Sequence, residues 1–392
     1  MIVRSKSEIL WEAQNRLYRN PSQVVYDTTA WKDVDKESLR FRLTGSFADI
    51  LSKAKITLFV TREYEHLVIA LRATSTALRQ SFISLPHPSG LTVNRESKTV
   101  YIVSTRNPNQ IWEWKPVTSL LERSDATQNA SGKYLVPTRT KFFSGAHYFH
   151  DLAIIQNKLF AVSVGQNGIV HVQFESPRTD RLVWWPRCIE RKDGTPNTKA
   201  NFIQLNSIAP GKTLRNSYFT ASSETISKRR PGHLNYPVDK KGVVFSGKTR
   251  EVIARGLTRP HSARLVKNTI WVDNSGYGEV GVIDGNRFQS VTRLPGWTRG
   301  LCVVNNILFV GTSRVLPRYK KYAPGIHSAS QQCGIHAVDV KSGTVLGALI
   351  WPNGNQIFSI DFMSSDSTDG FIYEKGMKNI KRARNFFYRY KV

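Results

Sequence analysis

Short apolar runs separated by turn residues dominate the chain, and one phrase recurs among them. Each phrase is a turn, a small or polar pair of residues, and then a β-like apolar run. The first residues of the six phrases are Ser89, His150, Asn206, His261, Arg299 and Phe358. A second apolar run follows each phrase, and successive phrases lie 55 to 61 residues apart, with one step of 38. Repetition of strands at this period predicts an all-β, six-bladed β-propeller, with the first residue of each phrase lining one central channel.

The two ends of the repeat region predict how the ring closes. Three apolar runs lie in residues 56–84, before the first phrase, whereas few follow the last phrase at Phe358. The simplest arrangement has these N-terminal strands complete the blade that a C-terminal strand begins. Closure of this kind removes sheet edges that would otherwise pair with other chains.

The segments outside the repeats differ in character from the propeller. Ser5 and Glu8 form a capping box before a helical pattern that stops at Asn20-Pro21, and residues 46–55 predict a second short helix. We therefore divide the chain into a helical N-terminal extension (1–55), a propeller closed by N-terminal strands (56–374) and a basic, aromatic C-terminal tail (375–392). The first helix is expected to pack against the propeller or against a neighbouring subunit.

Composition fits one large domain in a reducing compartment. With 392 residues, 40% of them hydrophobic, the chain can bury an extensive core. Charges scattered through the first residues argue against a signal peptide and against a membrane span. The three cysteines have no CxxC spacing, which argues against a disulfide framework. A cytoplasmic location is the expectation.

Charge adds information about partners. Lys and Arg number 56 against 29 Asp and Glu, a formal net charge of +27. Such an excess predicts contact with an anion: nucleic acid, an acidic protein, a sulfated or phosphorylated glycan, or anionic lipid. The alternative is a surface that is basic only for solubility.

Two basic insertions follow the second strand of the third and fifth repeats, at residues 222–241 and 313–332. A connection between strands two and three of a blade returns to the face where strand one began, so we expect both insertions to surround the channel mouth. A mouth lined with Lys and Arg would concentrate a positive potential on a bound anion. The basic substrate-binding candidates are Lys228, Arg229, Arg230, Arg314, Arg318, Lys320 and Lys321.

Three phrase residues form a candidate metal or acid–base site. His150 and His261 occupy equivalent positions, and Asn206 lies between them in the repeat order. Two imidazoles and an amide oxygen could hold one divalent metal, such as Zn²⁺ or Mn²⁺. Without metal, the two histidines could act as general acid and base. Arg299 is the candidate clamp for a carboxylate, sulfate or phosphate.

Asp151 and His87 complete the candidate set. Asp151 adjoins His150 and would orient it or bind the ligand, and His87 could reach the same mouth from the preceding turn. The alternative is that these polar groups only hydrogen-bond to one another and to channel water. No Gly-rich phosphate loop, GxSxG elbow or HExxH motif is present.

A family resemblance rests on several of these phrases, including Arg259-Pro260-His261 and Thr298-Arg299-Gly300. They resemble an uncharacterised bacterial family of conserved hypothetical β-propeller proteins, sometimes fused to tetratricopeptide repeats or found near sulfotransferase genes. The resemblance covers roughly residues 56–363 and implies the fold. It also implies that His150, Asn206, His261 and Arg299 are shared channel residues, but it implies no activity. A looser likeness to six-bladed lyases and lactonases with a channel metal is an analogy of fold alone.

Two functional hypotheses follow. In the first, the protein binds an anionic small molecule or glycan unit at the channel mouth and acts on it as a metal- or histidine-dependent lyase or hydrolase. In the second, it is a non-catalytic scaffold whose basic face and tail dock an acidic protein complex or nucleic acid. The first predicts that alanine at His150 or His261 abolishes activity or metal content and leaves the fold intact. The second predicts that the histidine substitutions have no effect, whereas charge reversal of the basic residues abolishes partner binding, at Lys228, Arg229, Arg230, Arg318, Lys320 and Lys321.

Overall fold

The molecule is built almost entirely from β-strands. A computed structural model describes residues 5–17, 34–74, 77–105, 109–124, 132–176, 181–228, 231, 233, 236–327, 331–374 and 389–391. Its α-helices are α1 (Lys6–Leu17) and α2 (Phe47–Lys53). Its strands are β1 (Arg42–Gly45), β2 (Ile56–Arg62), β3 (Leu67–Ala73), β4 (Leu78–Ser84), β5 (Pro88–Asn94), β6 (Thr99–Ser104), β7 (Asn109–Pro116), β8 (Ser119–Leu120), β9 (Tyr134–Phe143), β10 (Phe149–Ile155), β11 (Lys158–Ser163), β12 (Gly168–Val172), β13 (Leu182–Trp184), β14 (Leu205–Ala209), β15 (Tyr218–Ala221), β16 (Gly242–Ser246), β17 (Val252–Leu257), β18 (Pro260–Val266), β19 (Thr269–Asn274), β20 (Glu279–Asp284), β21 (Arg287–Arg293), β22 (Trp297–Val304), β23 (Ile307–Ser313), β24 (Gly334–Asp339), β25 (Val345–Ile350), β26 (Ser359–Ser364), β27 (Gly370–Phe371), β28 (Tyr373–Glu374) and β29 (Tyr390–Lys391).

The strands form six blades, numbered here by the phrase that opens each. From the inside outward, blade 1 is β5-β6-β7-β9-β27, blade 2 is β10-β11-β12-β13 and blade 3 is β14-β15-β16-β17. Blade 4 is β18-β19-β20-β21, blade 5 is β22-β23-β24-β25-β1, and blade 6 is β26-β2-β3-β4-β28. The predicted six-bladed β-propeller is confirmed.

Blade 6 closes the ring from both ends of the chain. The C-terminal strand β26 is innermost and pairs antiparallel with β2, from Ile56 opposite Ser364 to Thr61 opposite Ser359. The next two strands outward, β3 and β4, come from the N-terminal part of the chain. The predicted exchange of strands between the ends is therefore present.

Apolar side chains fill the spaces between blades. Strands β2 and β5 are buried at every position, because a neighbouring blade covers each of their faces. The buried residues form six apolar clusters, and each cluster joins strands of two adjacent blades. The stability of the ring therefore depends on contacts between blades as much as on pairing within them.

The N-terminal residues contribute directly to this packing. The predicted capping box is present, since Ser5 N–H donates to Glu8 Oε2 at 2.8 Å and Glu8 N–H to Ser5 Oγ at 3.2 Å. The second predicted helix is α2, whose Phe47 and Leu51 are fully buried between blades 5 and 6. Strand β1 was not predicted, and it extends blade 5 by pairing with β25.

The C-terminal tail lies largely outside the described residues. Of the predicted segment 375–392, the structure describes only residues 389–391, where β29 pairs with β8 beside blade 1. Within the described parts of the chain, no helix has the length and apolar character needed to cross a membrane.

Candidate functional site

A β-bulge occurs at the phrase in the inner strand of blades 1 to 5. The pairing with the second strand shifts between Pro88 and Leu91, Phe149 and Leu152, Leu205 and Ser207, His261 and Arg264, and Thr298 and Leu301. A bulge leaves one residue unpaired and re-aims the side chains beside it. The repeated phrase is therefore the sequence of a bulge at the channel mouth.

The bulges of blades 4 and 5 require a left-handed backbone conformation. Ser262 has φ of 54° and Gly300 has φ of 87°. A Cβ atom at Gly300 would also lie 2.9 Å from Ile360 Cγ1 of blade 6. The glycine after Arg299 thus allows the close approach of two blades just below the Arg299 side chain.

The second residue of several phrases joins its blade to the next one. Asp151 Oδ2 accepts the N–H of Ile208 at 3.1 Å, and Ser207 Oγ accepts that of Ala263 at 2.9 Å. Asp151 also forms an ion pair of 3.1 Å with Arg264. Asp151 is thus placed between inner strands and does not line the cavity described next.

A cavity of about 880 Å³ lies at the channel mouth. Four of the first phrase residues line it, namely His150, His261, Arg299 and Phe358. Asn206 does not: it is 2% exposed, and its Nδ2 donates to Ser222 Oγ at 3.1 Å and to Pro260 O at 2.9 Å. The structure thus brings together both predicted histidines and the predicted arginine, with Asn206 behind them.

Connections between second and third strands form the walls of the cavity. Short 3₁₀ turns contribute Glu63 and Tyr64 in blade 6, and Val164 in blade 2. The long connection from β15 to β16 contributes His233. The connection from β23 to β24 contributes Arg314, Val315, Leu316, Tyr319 and Tyr322. Both predicted insertions therefore reach the channel mouth.

Most of the basic residues predicted in these insertions do not line the cavity. Lys228, Lys320 and Lys321 are exposed to solvent, and Arg318 stacks on Tyr319 with its Cζ 4.6 Å from the ring centroid. Arg229 and Arg230 lie outside the described residues. Of the five candidates that the structure describes, Arg314 is the one in the cavity wall.

His87 lies behind the wall rather than in it. Its backbone N–H donates to His66 Nδ1 at 3.1 Å, and the two rings meet edge to face at 4.4 Å. Its Nδ1 is 4.0 Å from Oε1 of Glu63, which does line the cavity. His87 therefore approaches the cavity wall at Glu63.

Arg299 carries a cation with no direct polar partner among the described residues, and the charge of Glu63 acts on it only through space. Its side chain faces the cavity, is only 7% exposed, and makes no hydrogen bond or ion pair with any residue that the structure describes. Its Cζ lies 3.2 Å from the centroid of the Phe358 ring, which leaves the edges of the guanidinium group available. Burial lowers the pKa of Arg299 to about 10, so it stays protonated at neutral pH. A buried, unpaired guanidinium favours a carboxylate, sulfate or phosphate as its partner.

The hydrogen bonds of His261 fix its tautomer. Ser275 Oγ donates its one proton to Thr298 O at 2.6 Å, so it must accept from His261 Nδ1–H, at 2.9 Å. Burial, followed by the charges of Arg299 and His150, holds the pKa of His261 well below its usual range. The imidazole is therefore neutral, with its proton on Nδ1 and an unprotonated Nε2. This nitrogen can accept a proton or a hydrogen bond in the cavity.

His150 lines the same cavity as Arg299 and His261. Its ring meets that of Phe358 edge to face at 5.5 Å, while Arg299 stacks on Phe358. Phe358 therefore packs against both polar side chains, and its apolar ring excludes water from beneath them.

Carboxylates do little to offset the positive charge. Among the described lining residues, the basic side chains are Lys199, Arg259, Arg299 and Arg314, and the one acid is Glu63. Behind His261, Asp273 is fully buried, and its burial raises its pKa well above the usual range. Burial thus disfavours the charged form of Asp273, and basic side chains outnumber acidic ones among the described lining residues.

The arrangement fits a divalent metal poorly. No group of three or more His, Cys, Asp or Glu in the described residues is placed to hold one. Of the predicted ligand set His150, Asn206 and His261, the amide lies outside the cavity wall. The neighbouring guanidinium of Arg299 would also repel a dication. We therefore derive no chemistry through a metal.

Sequence reasoning missed several lining residues, notably Arg259, Glu63, Tyr64 and Trp297. Arg259 stacks its guanidinium 4.2 Å from the Tyr322 ring centroid and donates to Pro231 O at 2.9 Å. It directly precedes Pro260-His261, so its nearness in sequence to the predicted channel residue His261 could have identified it. Glu63 and Tyr64 follow the first N-terminal strand, where the sequence shows only an ordinary turn.

Several solved structures are similar to this chain, one of them at a TM-score above 0.5. A chain in the crystal structure of a nidogen–laminin complex is similar at a TM-score of 0.51 and 10% identity, covering 79% of this chain and 99% of that one. A protein of unknown function from Bacteroides caccae is similar at 0.47 and 9%, covering 79% and 98%. A gluconolactonase from Xanthomonas campestris is similar at 0.44 and 13%, covering 76% and 86%. Identities this low carry no information on activity.

Sequence comparison places the chain in a family. No curated protein matches it. One family model matches residues 45–369, which span strands of all six blades and every cavity residue from Glu63 to Phe358. The predicted membership of an uncharacterised family is confirmed: the chain belongs to DUF4915, a domain of unknown function.

Proposed function

We propose that the protein binds an anionic small molecule or glycan unit in the cavity, with Arg299 holding the anionic group. The observation that carries this proposal is the buried guanidinium of Arg299, which faces the cavity without a hydrogen bond or ion pair among the described residues. Leaving such a group unpaired has a large cost in free energy, whereas an anionic ligand would supply charge-assisted hydrogen bonds.

The same site supports hydrolase or lyase chemistry. His261 Nε2 is placed to take a proton from water or from the bound substrate, and Ser275 keeps the ring in the required tautomer. Arg299 would stabilise negative charge that develops on the substrate as that proton leaves. His150, whose ring meets that of Phe358 edge to face, is the candidate proton donor.

Isothermal titration with sodium sulfate and sodium D-glucuronate tests the binding proposal. Wild type is expected to bind at least one of these anions, and Arg299→Gln should weaken that binding at least tenfold because it removes the charge but retains a polar side chain. Arg287→Gln is the matched control, since Arg287 is an exposed arginine on β21. Equal binding by wild type and Arg299→Gln, or none by wild type, would refute the proposal.

The scaffold hypothesis gives the opposite pattern. There, paired charge reversal at the exposed residues Lys320 and Lys321 would abolish binding of a polyanion such as heparin, and Arg299→Gln would have no effect. The enclosed position of Arg299 favours a ligand small enough to enter the cavity.

A further inference from the structure

We propose that the ligand carries two anionic groups, one held by Arg299 and the other by Arg314. This inference rests on the proposed function, because it assigns a chemical class to the ligand of the same cavity. It would make Arg314 the residue that selects a dianion over a monoanion.

Arg314 is a second guanidinium in the wall without a carboxylate partner. Its Nη1 donates to Ser7 Oγ at 3.2 Å, and its Cζ lies 4.3 Å from the centroid of the Trp11 ring, both in α1. It forms no ion pair with the residues that the structure describes. The contacts with Ser7 and Trp11 orient the guanidinium without a direct carboxylate contact, and the charge of Glu8 acts on it only through space.

The strand register places the two arginines at different depths. Both belong to blade 5, where Trp297 on β22 pairs with Ser313 on β23. Arg299 lies two residues further into the channel along β22. Its backbone carbonyl faces Gly311 of β23, where an added side chain would collide with it. Arg314 follows Ser313 at the outer end. Three strand residues separate the two levels, roughly 10 Å at the Cα atoms.

Aromatic side chains line the same cavity as the two arginines. Trp297 and Tyr319 line the cavity together with Phe358 at its floor. Such a wall packs against the apolar or cyclic body of an organic ligand and excludes water from the charged ends. The chemical class that fits is therefore an organic dianion whose charged ends are separated by a carbon skeleton.

A series of linear dicarboxylates of increasing chain length tests this inference. Wild type is titrated calorimetrically with succinate, adipate, suberate and sebacate, and with the monomethyl ester of each. At least one diacid is expected to bind ten or more times as tightly as its own monoester. Arg314→Gln should remove this preference while leaving the affinity for the monoester nearly unchanged.

Two further variants separate the possible causes. Arg299→Gln should lose the diacid and the monoester alike, and Trp11→Ala should keep the preference, because it removes the aromatic contact without the cation. Equal binding of each diacid and its monoester, no binding of any diacid, or a preference that survives Arg314→Gln would overturn the inference. Loss of sulfate binding in Arg299→Gln would still uphold the proposed function in each of these cases.

Discussion

At the scale of single residues, the cavity places a permanent cation beside a neutral imidazole. Arg299 keeps its proton, whereas burial and that same cation hold the pKa of His261 well below its usual range. An anion bound to Arg299 would therefore meet a nitrogen that can accept a proton.

Ser275 is predicted to control the tautomer of His261. In Ser275→Ala the acceptor for Nδ1–H is lost, so the neutral ring should populate both tautomers. The ¹⁵N chemical shifts of the two ring nitrogens should then move toward each other, as measured by NMR at pH 8. Ser290→Ala, an exposed serine on β21, is the control and should leave both shifts in place. Unchanged shifts in Ser275→Ala would contradict this assignment.

His336 predicts how stability depends on pH. Its burial on β24 lowers its pKa from 6.5 to about 4, so the unfolded chain takes up a proton below pH 6.5 before the folded chain does. The stability contribution is therefore complete above pH 6.5 and is lost as the pH falls towards 4. This residue alone should lower the free energy of unfolding by about 2 kcal/mol between pH 7 and pH 5.

Urea denaturation at the two pH values measures this effect. His336→Gln should show a smaller loss than wild type, and His327→Gln, an exposed histidine, should lose as much as wild type. An identical loss in His336→Gln and wild type would show that other groups cause the pH dependence.

The sequence predicted the site residues on the inner strands better than those on the connections between strands. His150, His261 and Arg299 were predictable because each occupies the same place in a repeated phrase. Glu63 and Tyr64 were not, because their position depends on a 3₁₀ turn that the sequence does not distinguish from other turns. The misplacement of Asn206 has a local cause: its amide hydrogen-bonds to blade 4 through Pro260 O.

At the scale of elements, β-bulges in the inner strands accompany the side chains that line the cavity, such as His261 and Arg299. The strand alternation predicted the inner strands but not the bulges, since a bulge adds one residue without changing composition. Likewise β1 escaped prediction because all four of its residues are exposed, which leaves no apolar pattern to detect.

Helix α2 is predicted to stabilise the propeller although it precedes the repeats. Phe47 is fully buried and meets Phe309 of blade 5 edge to face at 6.0 Å. Phe47→Ala should lower the free energy of unfolding by about 3–5 kcal/mol through lost burial and the cavity that remains. Phe142→Ala, at a β9 residue that is 59% exposed, should cost far less in the same denaturant titration. Equal losses in the two variants would contradict the packing described for α2.

At the scale of the whole molecule, the repeat period and the shared blade at the chain ends made the architecture predictable. The net charge of +27 did not by itself locate the site. Among the described residues, Lys320 and Lys321 are exposed whereas Arg299 is enclosed in the cavity, and a count of charges does not distinguish the two cases.

Ring closure predicts which C-terminal truncations are tolerated. Removal of residues 359–392 deletes β26, the inner strand of blade 6, and should abolish cooperative thermal unfolding monitored by circular dichroism. Removal of residues 375–392 retains β26, β27 and β28 and should preserve cooperative unfolding. A cooperative transition at the wild-type temperature in the shorter chain would contradict closure through blade 6.

Anomalous diffraction from crystals soaked in sodium bromide would show whether Arg299 binds an anion inside the cavity. We expect a bromide peak within hydrogen-bonding distance of the Arg299 guanidinium, and its loss in crystals of Arg299→Gln. Bromide peaks confined to the outer surface of wild type, with none at Arg299, would contradict the claim.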